Sequence, residues 1–269
     1  MGRILTDGID TDLIDRGYAC SCRVQAKDAL GSATIVYSED GQTYALTNHH
    51  VIAENVEYKK VWDELLRRDV KKEFTEVVEL LFPRLDGMLV LGYNTVNADV
   101  ILHNEQQDVA LLKFRDRAPY PKARWYPRDG LEEIPHLARL TCIGAALGRH
   151  PIVTVGHLNG RQIEIDNYEY WMSTAQSIFG NSGGAVFTPL DDQWYFLGIP
   201  SRISVVPMGF SADAVTHMGY FAPLSRVYDW LEDNVYQFLW DDEYTPEMCD
   251  ELREDKRKEE EKRLKGDED

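Results

Sequence analysis

Long apolar runs are missing from this chain. Nowhere do about 18 apolar residues follow one another, the length a membrane-crossing helix needs, so neither a membrane span nor a membrane partner is expected. Basic charge is scarce. Lys and Arg number 29 against 46 Asp and Glu, a formal net charge of −17. Phosphate backbones are bound by clustered Lys and Arg, so nucleic acid is not an expected partner. Cysteine is scarce too. Cys20, Cys22, Cys142 and Cys249 are spaced neither as a disulfide scaffold nor as a zinc site, so no metal is expected. Cys20 and Cys22 stand two apart on a strand-like run, which reads as small buried hydrophobes with free thiols. Met1-Gly2-Arg3-Ile4-Leu5-Thr6-Asp7-Gly8 carries no apolar signal run. With the free thiols, this gives the expectation of a reducing, cytoplasmic setting.

What is present starts with a core. Of 269 residues, 43% are hydrophobic and 11% aromatic, enough for one large domain or two small ones. The chemistry gathers at Gly180-Asn181-Ser182-Gly183-Gly184, followed by Ala185-Val186-Phe187. A serine hydroxyl is a weak nucleophile unless a base takes its proton. Glycines around it free the backbone to turn N–H groups towards a developing oxyanion, here those of Gly180 and Ser182. A base stands upstream, where Ala45-Leu46-Thr47-Asn48 runs into His49-His50-Val51. An acid stands between them, where Asp108 opens Val109-Ala110-Leu111-Leu112-Lys113-Phe114. Asp99, the nearby competitor, lacks that apolar context. The order is His, Asp, Ser.

Together these segments resemble the Thr-Asn-x-His-Val, Asp-x-Ala-Leu-Leu and Gly-Asn-Ser-Gly-Gly motifs of trypsin-like serine proteases, with the Deg/HtrA protease domain nearest in flavour. The resemblance covers residues 18–240 and leaves no length for a PDZ domain. It implies an all-β fold of two six-stranded antiparallel barrels, His50 as base with His49 its neighbour, Asp108 as orienting acid and Ser182 as nucleophile. It implies a polypeptide substrate, an acyl-enzyme and no cofactor. By family position, Gln176 sits at the base of the primary pocket with Ser177, Ile199, Ser201 and Ile203 on its walls. Gln176 carries no charge, which speaks against a Lys or Arg preference. Asn181, before the serine, carries none either, so the trypsin-type switch through a freed N-terminal amine is not written here.

In chain order, residues 1–17 read as a polar segment with a short helix capped by Asp10 or Thr11. Residues 18–46 read as hairpins, with a turn at Asp40-Gly41. Within 56–86, Tyr58, Val61, Trp62, Leu65 and Leu66, then Val70, Phe74, Val77, Val78 and Leu81, recur at three- and four-residue spacing. That spacing predicts a helical insertion, either packed on a barrel or serving as a lid or docking element for a protein partner. Pro119, Pro121, Pro127 and Pro135 mark an inter-barrel linker over 115–136. Val227, Trp230, Leu231, Val235, Phe238 and Leu239 predict a C-terminal helix. Residues 241–269 are charged and read as a solvated helix or disordered tail, a second place for a partner. Two other functions compete. Gly180 to Gly184 also fits the Gly-x-Ser-x-Gly of α/β-hydrolases, but that fold needs a helix after the serine and the order Ser, acid, His. A protease-fold binding or regulatory protein, inactive alone, is the other.

Overall fold

The computed structural model describes residues 11–64, 67–86, 89–208 and 211–266. Among the described residues, fourteen strands carry the fold. β1 (Ser21–Gln25), β2 (Leu30–Glu39), β3 (Gln42–Thr47), β6 (Val78–Asp86), β7 (Leu89–Asn104) and β8 (Val109–Arg115) close an antiparallel barrel in the order β1-β2-β3-β8-β7-β6. β9 (Arg139–Gly144), β10 (Ile152–Ile165), β11 (Tyr168–Ser173), β12 (Ala185–Leu190), β13 (Gln193–Met208) and β14 (Ser211–Pro223) close a second, in the order β10-β11-β14-β13-β12-β9. This is the two-barrel, all-β architecture expected from the sequence.

The hairpin turns follow local chemistry. Asp40 and Gly41 both take positive φ, 50° and 74°, the turn whose twist matches the paired strands. Asp166-Asn167 and Asp191-Asp192 do the same between β10 and β11 and between β12 and β13. Asp and Asn tolerate that region best among residues with a side chain. In β2 everything from Gly31 to Ser38 is buried, because one face fills its own barrel while the other meets the neighbouring barrel and the linker. Within the linker, the Ala123 N–H donates to the Ile35 carbonyl (2.9 Å) and the Phe196 N–H to the Arg124 carbonyl (2.6 Å), so residues 123–126 tie β2 to β13.

The helical insertion is overturned. Residues 56–86 form β4 (Val56–Asp63), β5 (Arg68–Thr75) and the barrel strand β6. β4 and β5 pair with each other as a two-stranded ribbon, Val61 opposite Val70 and Tyr58 opposite Glu73. The competing signal was composition: Val, Tyr, Trp, Phe and Thr, the residues that suit a pleated surface, outnumber good helix formers among the apolar positions. Leu65 and Leu66, which extended the apparent helical stripe, lie outside the described residues, as does Asp10.

Three helices matter below. α1 (His49–Ile52) is one turn after β3, α2 (Leu224–Asp233) follows β14, and α3 (Pro246–Gly266) carries the charged terminal segment. α2 buries Leu224, Val227, Tyr228, Trp230 and Leu231. α3 is anchored near its start: Cys249 is buried, and the Arg253 guanidinium lies 4.1 Å from the Tyr236 ring. No described helix is long and apolar enough to cross a membrane.

Candidate active site

The first barrel presents a histidine and a carboxylate at its rim. Asn48 follows β3 and donates from Nδ2 to the Asp108 carbonyl at 2.6 Å, fixing the two segments side by side. Asp108 holds φ at 54°, a conformation that turns its carboxyl back over α1. There it accepts the His50 N–H at 3.0 Å, and both its oxygens lie 2.9 Å from His50 Nδ1. A carboxylate only accepts, so the proton sits on Nδ1 and Nε2 keeps its lone pair. Ser201 of β13 donates to Asp108 Oδ2 at 2.5 Å from the other barrel. Burial works to raise the Asp108 carboxyl, but the hydrogen bond and charge of His50, with the Ser201 hydroxyl, hold it below the ordinary carboxylate range. The His50 side chain stays 48% exposed against 11% for Asp108. His49 turns the other way. Its ring stacks on His103 at 5.0 Å, and burial, then His103, lower its pKa.

The second barrel presents Ser182 between β11 and β12. Five consecutive carbonyls around it are engaged. Those of Ile178, Phe179, Gly180, Asn181 and Ser182 accept respectively from Asn181 N (3.0 Å), Leu147 N (2.7 Å), Ser32 Oγ (2.6 Å), Gly184 N (2.9 Å) and Ser32 N (2.8 Å). Among the described residues, the N–H groups of Gly180 and Ser182 donate to no protein acceptor. These are the two groups the sequence suggested for an oxyanion. Gly180 has φ 96°, and a Cβ there would lie 2.5 Å from the Ala145 carbonyl oxygen; at Gly183 (φ 83°) it would lie 2.1 Å from that of Ser32. Only glycine fits either place.

His50 and Ser182 line one cleft of about 390 Å³ with Ser177, Ser201, Ile203 and Arg202. No hydrogen bond joins His50 Nε2 to Ser182 Oγ among the described residues. Such bonds are often long without substrate and tighten when it binds. Beside the cleft lies a small pocket lined by Cys142, Ala175, Ser177, Gly219, Tyr220 and Phe221 among others, with about 10 Å³ free, at the limit of what one water needs. Among the described residues, no ionisable acid or base other than the Tyr220 phenol and the buried Cys142 thiol lines it.

Two expected pocket residues are elsewhere. Gln176 is exposed, with its carbonyl accepting from Thr154 Oγ1 at 2.7 Å, and it does not line the pocket. Ile199 is wholly buried inside the second barrel, because alternation along β13 sends it to the core face while Pro200 reaches the cleft. Sequence reading missed Ser32, whose N–H, hydroxyl and carbonyl all work: the hydroxyl also accepts from Ala145 N (2.7 Å), and the carbonyl accepts from Thr47 Oγ1 (2.7 Å). Its signal was the Gly31-Ser32-Ala33 opening of β2, next to the glycine-rich loop only in three dimensions. Phe179 and Val205, both exposed at the cleft, were missed as well.

Comparison with known proteins agrees with this fold. The HtrA-type protease AlgW, solved with a tripeptide, superposes with a TM-score of 0.60 at 19% identity, over 85% of this chain and 64% of that one. A serine endoprotease from Yersinia pestis gives 0.56 at 18% identity, over 83% and 65%. The chain thus spans somewhat less than two thirds of each. No curated protein sequence matches it. The trypsin-like peptidase domain family matches residues 31–199, and this chain belongs to that family.

Proposed function

We propose that the chain is a serine endopeptidase acting through His50, Asp108 and Ser182. The observation that carries this is the histidine with its Nδ1 on a buried carboxylate and its free nitrogen in the same cleft as a serine whose flanking carbonyls are all turned away. In the reaction, Ser182 Oγ bonds to the scissile carbonyl carbon as its proton passes to His50 Nε2. The carbonyl oxygen becomes an oxyanion, held by the N–H groups of Gly180 and Ser182. The C–N bond then breaks and the proton moves from His50 to the leaving amine. Water repeats the sequence on the ester, releasing the acid and restoring the serine. Asp108 keeps the imidazole tautomer and stabilises its cation. Each oxyanion donor contributes about 3 kcal/mol in the transition state.

Ser177, Ser201 and Ile203 serve the substrate side, the first at the pocket and the others on the β13 wall. The pocket's small free volume and aromatic walls favour a small apolar side chain before the scissile bond. The buried Cys20, Cys22, Cys142 and Cys249 support work in a reducing compartment such as the cytoplasm. The nearly closed pocket favours a second reading, a protein inactive until a partner opens it. Peptide-library cleavage separates them: turnover by the purified chain, abolished in Ser182→Ala, supports the peptidase, and no turnover under any condition supports the second reading.

A further inference from the structure

β13 outruns the barrel it belongs to. Its pairing with β12 ends where Val186 stands opposite Gly198, and from there on its partner is β14. β11 pairs with β14 at Gly219, Tyr220 and Phe221. A bulge in β14 between Val215 and Gly219 then turns the two strands into an arm, with Ser204 opposite Val215, Val205 opposite Ala214 and Val206 opposite Asp213. The root of this arm is tied to the candidate site. The Ser177 N–H donates to the Thr216 carbonyl at 2.7 Å, and the Ser204 hydroxyl to the Tyr220 phenol at 3.3 Å.

A proline orients the arm's backbone. Pro207 stands opposite Ala212, and proline, having no N–H, sits in a strand with its nitrogen away from the ladder. Residues two apart turn their N–H and C=O groups to the same edge. Val205 and Ile203 therefore present theirs to the open edge, as Pro207 presents its carbonyl. Among the described residues, no segment outside β14 hydrogen-bonds to the backbone of residues 203–207. Natural edges are blunted by charge, proline or a bulge. The β14 edge of the arm carries both Asp213 and the bulge. The β13 edge carries Ile203, Ser204, Val205 and Val206 with no charge among them, and only then Pro207. Val205 is 51% exposed and Val206 47%. Ile203 and Val205 also line the cleft of His50 and Ser182, as does the exposed Phe179.

We infer that the open edge from Ile203 to Pro207 docks the upstream part of the polypeptide substrate, an extended, uncharged, β-branched segment that adds to β13 as a further antiparallel strand. This deepens the peptidase reading and depends on it for the word substrate. Continuity with the cleft selects the occupant. Pro200 lines both the small pocket and the cleft, so the residue before the scissile bond sits at that end of β13. The chain ahead of it runs along the strand towards Pro207. A strand from Ser201 to Pro207 spans about 20 Å, so residues about five to seven places upstream of the bond still reach the arm. Backbone hydrogen bonds at every second residue hold them there, with Val205 and Phe179 as apolar contacts.

The test uses the full chain as Ser182→Ala, so that binding is read without cleavage. The probes are fluorescein-labelled peptides around an Ala-Ser bond. One carries seven residues ahead of the bond, alternating Val and Thr up to the Ala; one is cut to three; one is cut to three and lengthened by four after the bond. Anisotropy is expected to show the first binding about tenfold more tightly than the other two, as two further backbone hydrogen bonds allow. N-methylation is expected to remove this gain at one of the fourth and fifth upstream nitrogens and to leave it at the other, since only alternate N–H groups face β13. Val205→Pro, which takes an N–H from the open edge, is expected to bring the long and short peptides to equal affinity, circular dichroism confirming its fold. Equal affinity of the long and short peptides for the Ser182→Ala chain overturns the proposal, even if Val205→Pro does not fold. So does a folded Val205→Pro variant that keeps the gain, an equal gain from downstream residues, or N-methylation that acts alike at both nitrogens. A dimer in sedimentation that Val205→Pro dissolves assigns the edge to a second copy of the chain and overturns it too. Failure of Ser182 to react with a fluorophosphonate in the wild type, while the long peptide still binds, overturns the peptidase reading alone.

Discussion

At the scale of single residues, the account turns on how Asp108 and Ser32 hold others in place. Asp108→Asn keeps the volume but reverses the hydrogen bond to Nδ1, leaving the wrong tautomer at Nε2. Turnover should fall by about 10⁴-fold with the serine still present. The same substitution has a pH signature in stability. The Asp108 carboxyl is held below the ordinary carboxylate value of 3.8 in the folded chain, so the stability it contributes is present above that value and is lost as pH falls through the folded pKa. Thermal melts of wild type and Asp108→Asn should therefore differ at pH 7 and start to converge as pH falls below 3.8, meeting only under the folded pKa; a constant gap would contradict the assigned pairing. Ser32→Ala strips the Gly180 carbonyl and the Ala145 N–H of their partner at a wholly buried position. An unpaired buried group costs about 1–3 kcal/mol, and a Gly180 peptide free to rotate should lower kcat more than it raises KM. His50, Asp108 and Ser182 were legible because each stands in a motif with a strand on one side. The role of Ser32 was not, because its partners at 145 and 180 are more than a hundred positions away and the Gly31-Ser32-Ala33 opening alone does not say what it meets.

At the scale of elements, glycine and strand register decide what the loops can do. The turn Ala145–Gly148 backs the oxyanion peptide. Leu147, itself at φ 53°, donates to the Phe179 carbonyl, and Gly148 is held by Arg23 Nη1 on its carbonyl at 2.9 Å. Gly180→Ala should clash with that turn, cost about 1–3 kcal/mol in backbone strain and lower kcat by about 10²–10³-fold, read by steady-state kinetics on a cleaved peptide. Wild-type rates would mean that the Gly180 N–H is not a donor to the reaction. Most strands that close the barrels were legible from period-two patterns and Asp-Gly turn chemistry, but β6 was not, since it fell in the stretch whose spacing imitated a helix. The β4–β5 ribbon was not, for a physical reason: neither of its faces lies in a core, so alternation is not enforced, and apolar residues fall at spacings that imitate a helix. Its true signal was β-branched and aromatic content, which acts through packing and is weak in an exposed ribbon.

At the scale of the whole molecule, the candidate site exists only where the barrels meet. His50 and Asp108 come from one barrel, Ser182 and Ser201 from the other, and Ser201 Oγ to Asp108 and Ser32 N to Ser182 O cross the seam. Trp125 in the linker holds that seam from behind. It packs on Phe196 (5.6 Å), Tyr228 (5.3 Å) and Trp240 (5.7 Å), and its Nε1 donates to the Val36 carbonyl at 3.4 Å. Trp125→Ala should cost about 3–5 kcal/mol and reduce activity by misaligning the barrels, seen as a lower thermal midpoint together with a lower kcat. Two barrels followed from the family resemblance, with the proline-rich segment as the linker between them; the aromatic clasp did not, since Trp125, Tyr228 and Trp240 meet only after folding. The most direct test of the account is covalent labelling by a serine-reactive fluorophosphonate, mapped by mass spectrometry on the wild type and on His50→Ala. The account predicts a single adduct on Ser182 that forms in the wild type and is lost when His50 is removed. Labelling elsewhere, labelling indifferent to His50, or no adduct at all would contradict it.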